Sequence, residues 1–110
     1  MTTAVQTVDR HVANIATAND VFRRIGFNTT LTQGVHSLPD VCGLLNEVSR
    51  FNTFTEDNDP YGEHDFGSLN WHGEKIFWKI DYYNPTLSGW CDPLSKGCRR
   101  IMTVMLASEY

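Results

Sequence analysis

The residues best equipped for chemistry lie in one stretch, TEDNDPYGEHDFG, Thr55 to Gly67. Five of the ten residues from Glu56 to Asp65 are acidic, and His64 stands among them. Asp57, Asp59, Glu63, His64 and Asp65 are all possible metal ligands, and they fall within nine residues. Counted as a calcium loop from Asp57, the stretch places Gly62 at the sixth position, where such loops turn sharply. The match fails at Tyr61, where a third oxygen ligand belongs, and at Ser68, where the bidentate Glu belongs. A carboxylate beside His64 (Asp65, Glu63 or Asp81) could also make an acid/base couple. No nucleophile elbow, phosphate-cradling glycine loop or HExxH accompanies it.

A second reading is architectural. DPYG, Asp59 to Gly62, has Asp, Pro and Gly at the first, second and fourth positions of a β-turn. Asp57 and Asp59 can accept bonds from nearby backbone N–H groups and hold that turn. A third reading is a contact surface. Carboxylates on a loop steer association, and neighbouring aromatics (Tyr61, Trp71, Trp78) supply anchors. Its members would be Glu56, Asp57, Asp59, Tyr61, Glu63 and Asp65, extended by Glu74 and Asp81.

The charge pattern bears on partners. Seven of 13 acidic residues but two of nine bases lie between Glu56 and Asp81, a local balance of −5 against +1 for the remainder. Such a chain is poorly suited to grip nucleic acid directly, which needs a basic patch. It suits a protein partner with a basic surface.

The elements that position these residues follow from periodicity. Val8, Val12, Ile15, Phe22 and Ile25, with Ala18, recur at helical spacing. Thr7 can cap this segment and Asp9 suits its first turn. Arg23 and Arg24 suit the dipole at its end, and Gly26 stops it. Asn19 and Asp20 weaken the middle, leaving one helix or two. FNTTLTQGV, residues 27–35, reads as a strand. Ser37 and Asp40 form a capping-box pattern around Pro39, followed by the stripe Val41, Leu44, Leu45, Val48 and Phe51. A hairpin turning near His72-Gly73 comes next, with Ile76, Trp78, Ile80 and Tyr82 facing the core. Lys75, Phe77, Lys79, Asp81 and Tyr83 alternate onto the other face. NPTLSGWCDPLSKGC reads as a long loop, and Arg100 to Tyr110 as a closing strand or helix. The expected fold is a single α+β domain over 1–110, with residues 1–6 flexible: two helices packed on one face of a mainly antiparallel sheet of about four strands.

At 110 residues and 41% hydrophobic, the chain fits one core rather than two. It contains no membrane-length apolar run, and the N-terminus lacks the basic start and apolar block of a signal peptide. A cytoplasmic protein is therefore expected. Three cysteines do not suggest a disulfide framework. Cys42 is expected as a small buried hydrophobe, and Cys91 and Cys98 match no common zinc spacing. No cofactor is expected.

FTEDNDPYGEHDFG, FWKIDYY and MLASEY, together with Asn19-Asp20-Val21-Phe22-Arg23 (NDxFR) and Thr32-Gln33-Gly34-Val35 (TxGV), resemble a bacterial domain-of-unknown-function family. The resemblance covers roughly Asn19 to Tyr110. Its members are small proteins often encoded near mobile-element genes. The cysteine-bearing GWCDPLSKGC departs from the family pattern, which is rich in Asp and Pro there. The resemblance implies no established activity. Its genomic setting implies, by analogy, an inhibitor of a bacterial defence system of the anti-CRISPR or anti-restriction type, acting by binding. A non-enzymatic binding protein that blocks a basic nucleic-acid-binding surface is the expected function. The alternatives are a metal-dependent hydrolase or nuclease using the residue 57–65 cluster, and a structural or assembly module.

Overall fold

A computed structural model describes the backbone from Thr3 to Tyr110 and side chains from His11 onward. The first helix begins at Thr3, so Thr7 and Asp9 stand inside it rather than at its cap and first turn, while residues 1–2 and the side chain of Val8 lie outside the described residues. Helix α1 (Thr3–Ile25) leads into β1 (Thr29–Leu31), α2 (Gln33–His36) and α3 (Val41–Ser49). Strands β2 (Phe66–Trp71), β3 (Glu74–Tyr83) and β4 (Arg99–Leu106) follow, and a 3₁₀ turn over Ala107–Glu109 closes the chain. The sheet order is β1-β4-β3-β2. It is a mixed sheet: β2–β3 and β3–β4 are antiparallel, but β1 runs parallel to β4, with Thr29 opposite Met102. No helix among the described residues is long and apolar enough to cross a membrane.

The hairpin forms as its turn chemistry dictates. His72 and Gly73 both have positive φ, 49° and 82°, the backbone of a tight turn whose twist matches its strands. The resulting register buries Ile76, Trp78, Ile80 and Tyr82 on one face. Met102 and Val104 join them from β4, and Val35, Leu44 and Val48 close over them. Fully burying each large apolar side chain contributes about 1.5–3 kcal/mol. The closing segment is thus a strand, flanked on both sides by other strands.

Three expectations change at the helices. First, α1 is one helix, and its buried face is rotated towards polar residues. Ile15, Ala16, Asn19 and Arg23 are buried, whereas Val21 and Ile25 are exposed. Arg23 therefore does not lie in solvent at the helix end. Second, Asp40 alone caps α3, accepting from Gly43 N at 3.1 Å, while Ser37 Oγ donates to Gln33 O in α2. A Cβ at Gly43 would overlap the Asp40 carboxylate and crowd the Trp71 ring, which explains a glycine costing about 1 kcal/mol relative to Ala. Cys42, next to it, is exposed rather than buried. Third, the strand expected over residues 27–35 stops at Leu31. Thr32 donates to Glu109 Oε1 at 2.6 Å and Gly34 N to Glu109 Oε2 at 3.1 Å, so the chain turns into α2 under the C-terminal turn.

Candidate functional site

The acidic stretch folds back on itself before entering β2. Gly62 N donates to Asp59 O at 3.0 Å, closing the expected DPYG turn. His64 then takes a positive φ of 58°, a backbone that costs on the order of 1 kcal/mol or more in a non-glycine residue. Its surroundings hold it there. His64 N donates to the Asp59 carboxylate at 3.2 Å, and its ring stacks on Phe54 at 3.8 Å with the planes 2° apart. His64 Nδ1 lies 3.0 Å from Asp20 Oδ1. A carboxylate can only accept, so Nδ1 carries the proton in that bond. The expected pairing of His64 with Asp65, Glu63 or Asp81 gives way to pairing with Asp20, and with Asp59 at 3.7 Å.

This reversal divides the acids between two environments. Asp59 and Glu63 turn inward and join a buried polar hub. Asn19, fully buried, donates to Glu63 O at 3.0 Å and Tyr82 Oη at 2.8 Å, and accepts from Arg100 Nε at 2.7 Å. Tyr82 Oη donates to Glu63 Oε1 at 3.1 Å. Burial pushes the Tyr82 hydroxyl well above its ordinary range, so it remains a donor. Arg23, 1% exposed, bridges Asp20 Oδ1 and Phe51 O at 2.9 Å each. Its Nε and Nη1 find no acceptor among the described residues. The guanidinium lies instead over the rings of Trp78 at 4.8 Å and Phe54 at 5.5 Å.

The remaining acids look outward. Glu56 and Asp57 are exposed, and Tyr61 is 79% exposed. Asp65 and Asp81 border the sheet face opposite the core. There Asp57, Tyr61, Asp65, Asp81 and Tyr110 line one hollow of about 400 Å³. Asp65, Asp81, Tyr83, Leu87 and Trp90 line a second of about 360 Å³. Of the two lysines on this face, Lys75 lies over the Phe77 ring at 5.5 Å, and Lys79 donates to Asp81 Oδ2 at 2.7 Å, which raises the Lys79 pKa. Burial, and then the charge of Glu63, push the Asp65 carboxyl up to about 6. Phe66, Phe77 and Tyr110 pack edge-on beside these groups. Glu74 lies apart, opposite Trp71 at the far end of the hairpin.

The eight proposed contact residues thus do not form one patch. Asp59 and Glu63 are withdrawn into the hub, and Glu74 is remote. The five donors at 57–65 do not converge either. Among the described residues, no three His, Cys, Asp or Glu side chains are grouped to hold a metal ion. Asp20, Asp59, His64 and Thr17 do share an open cavity of about 610 Å³, but the Thr17 hydroxyl donates to Ala13 O at 2.9 Å. The arrangement holds a backbone in place and does not present a nucleophile to a base.

Periodicity and spacing missed Arg23, Arg100, Tyr110 and Trp90. For Arg23 a signal existed: Asn19 and Arg23 stand i,i+4 on the side of α1 that also carries Ile15. The others depend on the sheet register. Of the cysteines, Cys91 Sγ lies 2.8 Å from Ser95 Oγ, and burial pushes the Cys98 thiol up.

A family model for proteins of unknown function, DUF3768, matches residues 31–109. The chain belongs to that family. The matched span runs from the last residue of β1 to the C-terminal turn and includes the acidic stretch, the hairpin and β4. The NDxFR segment in α1 lies outside it, although its Asn19, Asp20 and Arg23 bind the matched DUF3768 region through Glu63, Tyr82, His64 and Phe51. No curated protein and no solved structure matches this chain.

Proposed function

We propose that this DUF3768 protein is a non-enzymatic binding protein. Its acidic, aromatic sheet face docks on a basic surface of a protein partner. The observation that supports this is the face itself: carboxylates of Asp57, Asp65 and Asp81 stand beside Tyr61, Tyr83, Tyr110 and Trp90, with Lys79 already paired. Charge of one sign steers association and sets specificity, and large aromatics anchor it. The partner class is a nucleic-acid-binding complex of bacterial defence, whose Lys and Arg side chains normally hold phosphates. The protein acts as its inhibitor, encoded on a mobile element and working in the cytoplasm.

The test is a plating assay. Expression in hosts carrying restriction or CRISPR immunity should raise the plating of a targeted phage about tenfold or more. Asp57→Lys/Asp81→Lys should return it to the vector level with an unchanged circular dichroism spectrum. Equal protection by the folded double variant would remove the acidic face from the mechanism. Asp59 is left intact in this design because its carboxylate holds His64.

A further inference from the structure

Two exposed patches of opposite charge meet on this molecule. One is the acidic sheet face. The other lies at the end of α1, where Val21, Ile25 and Phe27 are 48%, 64% and 70% exposed. They open on a hollow of about 450 Å³ whose charged walls are Arg99 and Arg100. Arg24, on the last turn of the same helix, is exposed as well. Scattered exposed apolar residues need no explanation, but neighbouring large ones mark a contact.

The two patches share a border. Tyr83 of the acidic face is paired across the strands with Arg99 of the basic patch. Leu87, 50% exposed, lines a hollow on each side of that border. Adjacency matters for symmetry. When two complementary patches lie side by side, one two-fold axis lets each patch of one copy meet the other patch of the second, and the contact closes.

We propose that the chain forms a two-fold dimer in which the Val21/Ile25/Phe27 patch, with Arg24 and Arg99, covers the acidic face of a second copy. Charge complementarity selects this occupant. The face's carboxylates, Asp57, Asp65 and Asp81, repel a like face, whereas the basic, apolar end of α1, with Arg24 and Arg99, attracts them. Leu87 and Trp90 lie near the axis. The inference rests on the acidic face being a docking surface. It gives that face a resident occupant, which a more basic partner must displace.

Sedimentation equilibrium of the full chain tests this. The wild type should be a dimer whose dissociation constant rises about tenfold between ~0.05 and ~0.5 M NaCl. Arg24→Glu/Arg99→Glu and Asp57→Lys/Asp81→Lys should each be monomeric, because like charges then face each other. Their equimolar mixture should dimerise, since both contacts become complementary again, and this recovery also shows that both variants fold. A wild-type monomer at ~1 mM, a reversed variant that dimerises like wild type, or a mixture of folded variants that stays monomeric would each overturn the dimer. The plating assay reads the acidic face against a foreign partner. A monomer that still protects phage would therefore remove the dimer alone.

Discussion

The polar hub under α1 and the acidic face of the sheet draw on the same short stretch, yet they handle charge in opposite ways. In the hub, Asp59 and Glu63 accept hydrogen bonds from His64 N and Tyr82 Oη, and Asn19 and Arg23 complete the set from the helix. On the face, Asp65 feels the charges of Glu63, Asp59 and Asp81, Asp57 stands exposed beside the same hollow, and Lys79 is bound to Asp81. Burial lies behind both results. A buried polar group must find a partner or lose on the order of 1–3 kcal/mol, whereas a partly exposed one can remain in excess and serve recognition. An acidic run is therefore not one functional unit. The backbone reversal at Gly62 and His64, with φ of 69° and 58°, divides it into a part that builds and a part that is presented.

The contrast is broken hardest at Arg23. Arg23→Ala removes the Asp20 and Phe51 bonds and the cover over Trp78 and Phe54. Urea unfolding should show a loss of about 3–5 kcal/mol. Gly67→Ala comes next. A Cβ there overlaps the Trp78 indole, which fills the place opposite Gly67 in the β2–β3 register. The expected loss is about 1–3 kcal/mol, with the midpoint lowered and the slope unchanged. The paired comparison of Asp59→Ala with Asp57→Ala is sharper still. The first should cost about 1–2 kcal/mol by freeing His64 N, and the second should stay within about 0.5 kcal/mol. Equal costs would mean that the stretch is not divided as described.

The hairpin was legible in the sequence because two strong local signals agree there: His72-Gly73 for the turn, and period-two alternation from Ile76 to Tyr82. The DPYG turn was legible for the same reason. The rotation of α1 was not. Its apolar spacing points to Val12, Ala18, Phe22 and Ile25, but the buried row runs through Asn19 and Arg23, and only the partners waiting on β3, β4 and the acidic stretch make that row the better one. β1 ended early because Glu109, 77 positions from Thr32, captures Thr32 and Gly34. No local propensity carries that information. For the site, the residue types were readable and their directions were not. Asp57 and Asp59 look alike in sequence, and the hydrogen bond to His64 N separates them.

The smallest expected effect tests the face from its own side. The Asp65 carboxyl is pushed from 3.8 up to about 6, first by burial and then by Glu63, Asp59 and Asp81. The folded state therefore binds this proton more tightly than the unfolded chain. Between those two values the native state carries more protons, so this contribution to stability declines as pH rises from about 4 to about 6 and is level above that. Asp65→Asn removes the buried charge. Because the group is partly solvated, the variant should gain about 1 kcal/mol near pH 7.5, and the gain should vanish by about pH 4. Urea titrations of both proteins across that range read the difference directly. A gain that is constant with pH would trace the effect to packing, and a loss at neutral pH would mean that the Asp65 charge is held by a favourable partner, which would make this corner of the face part of the hub.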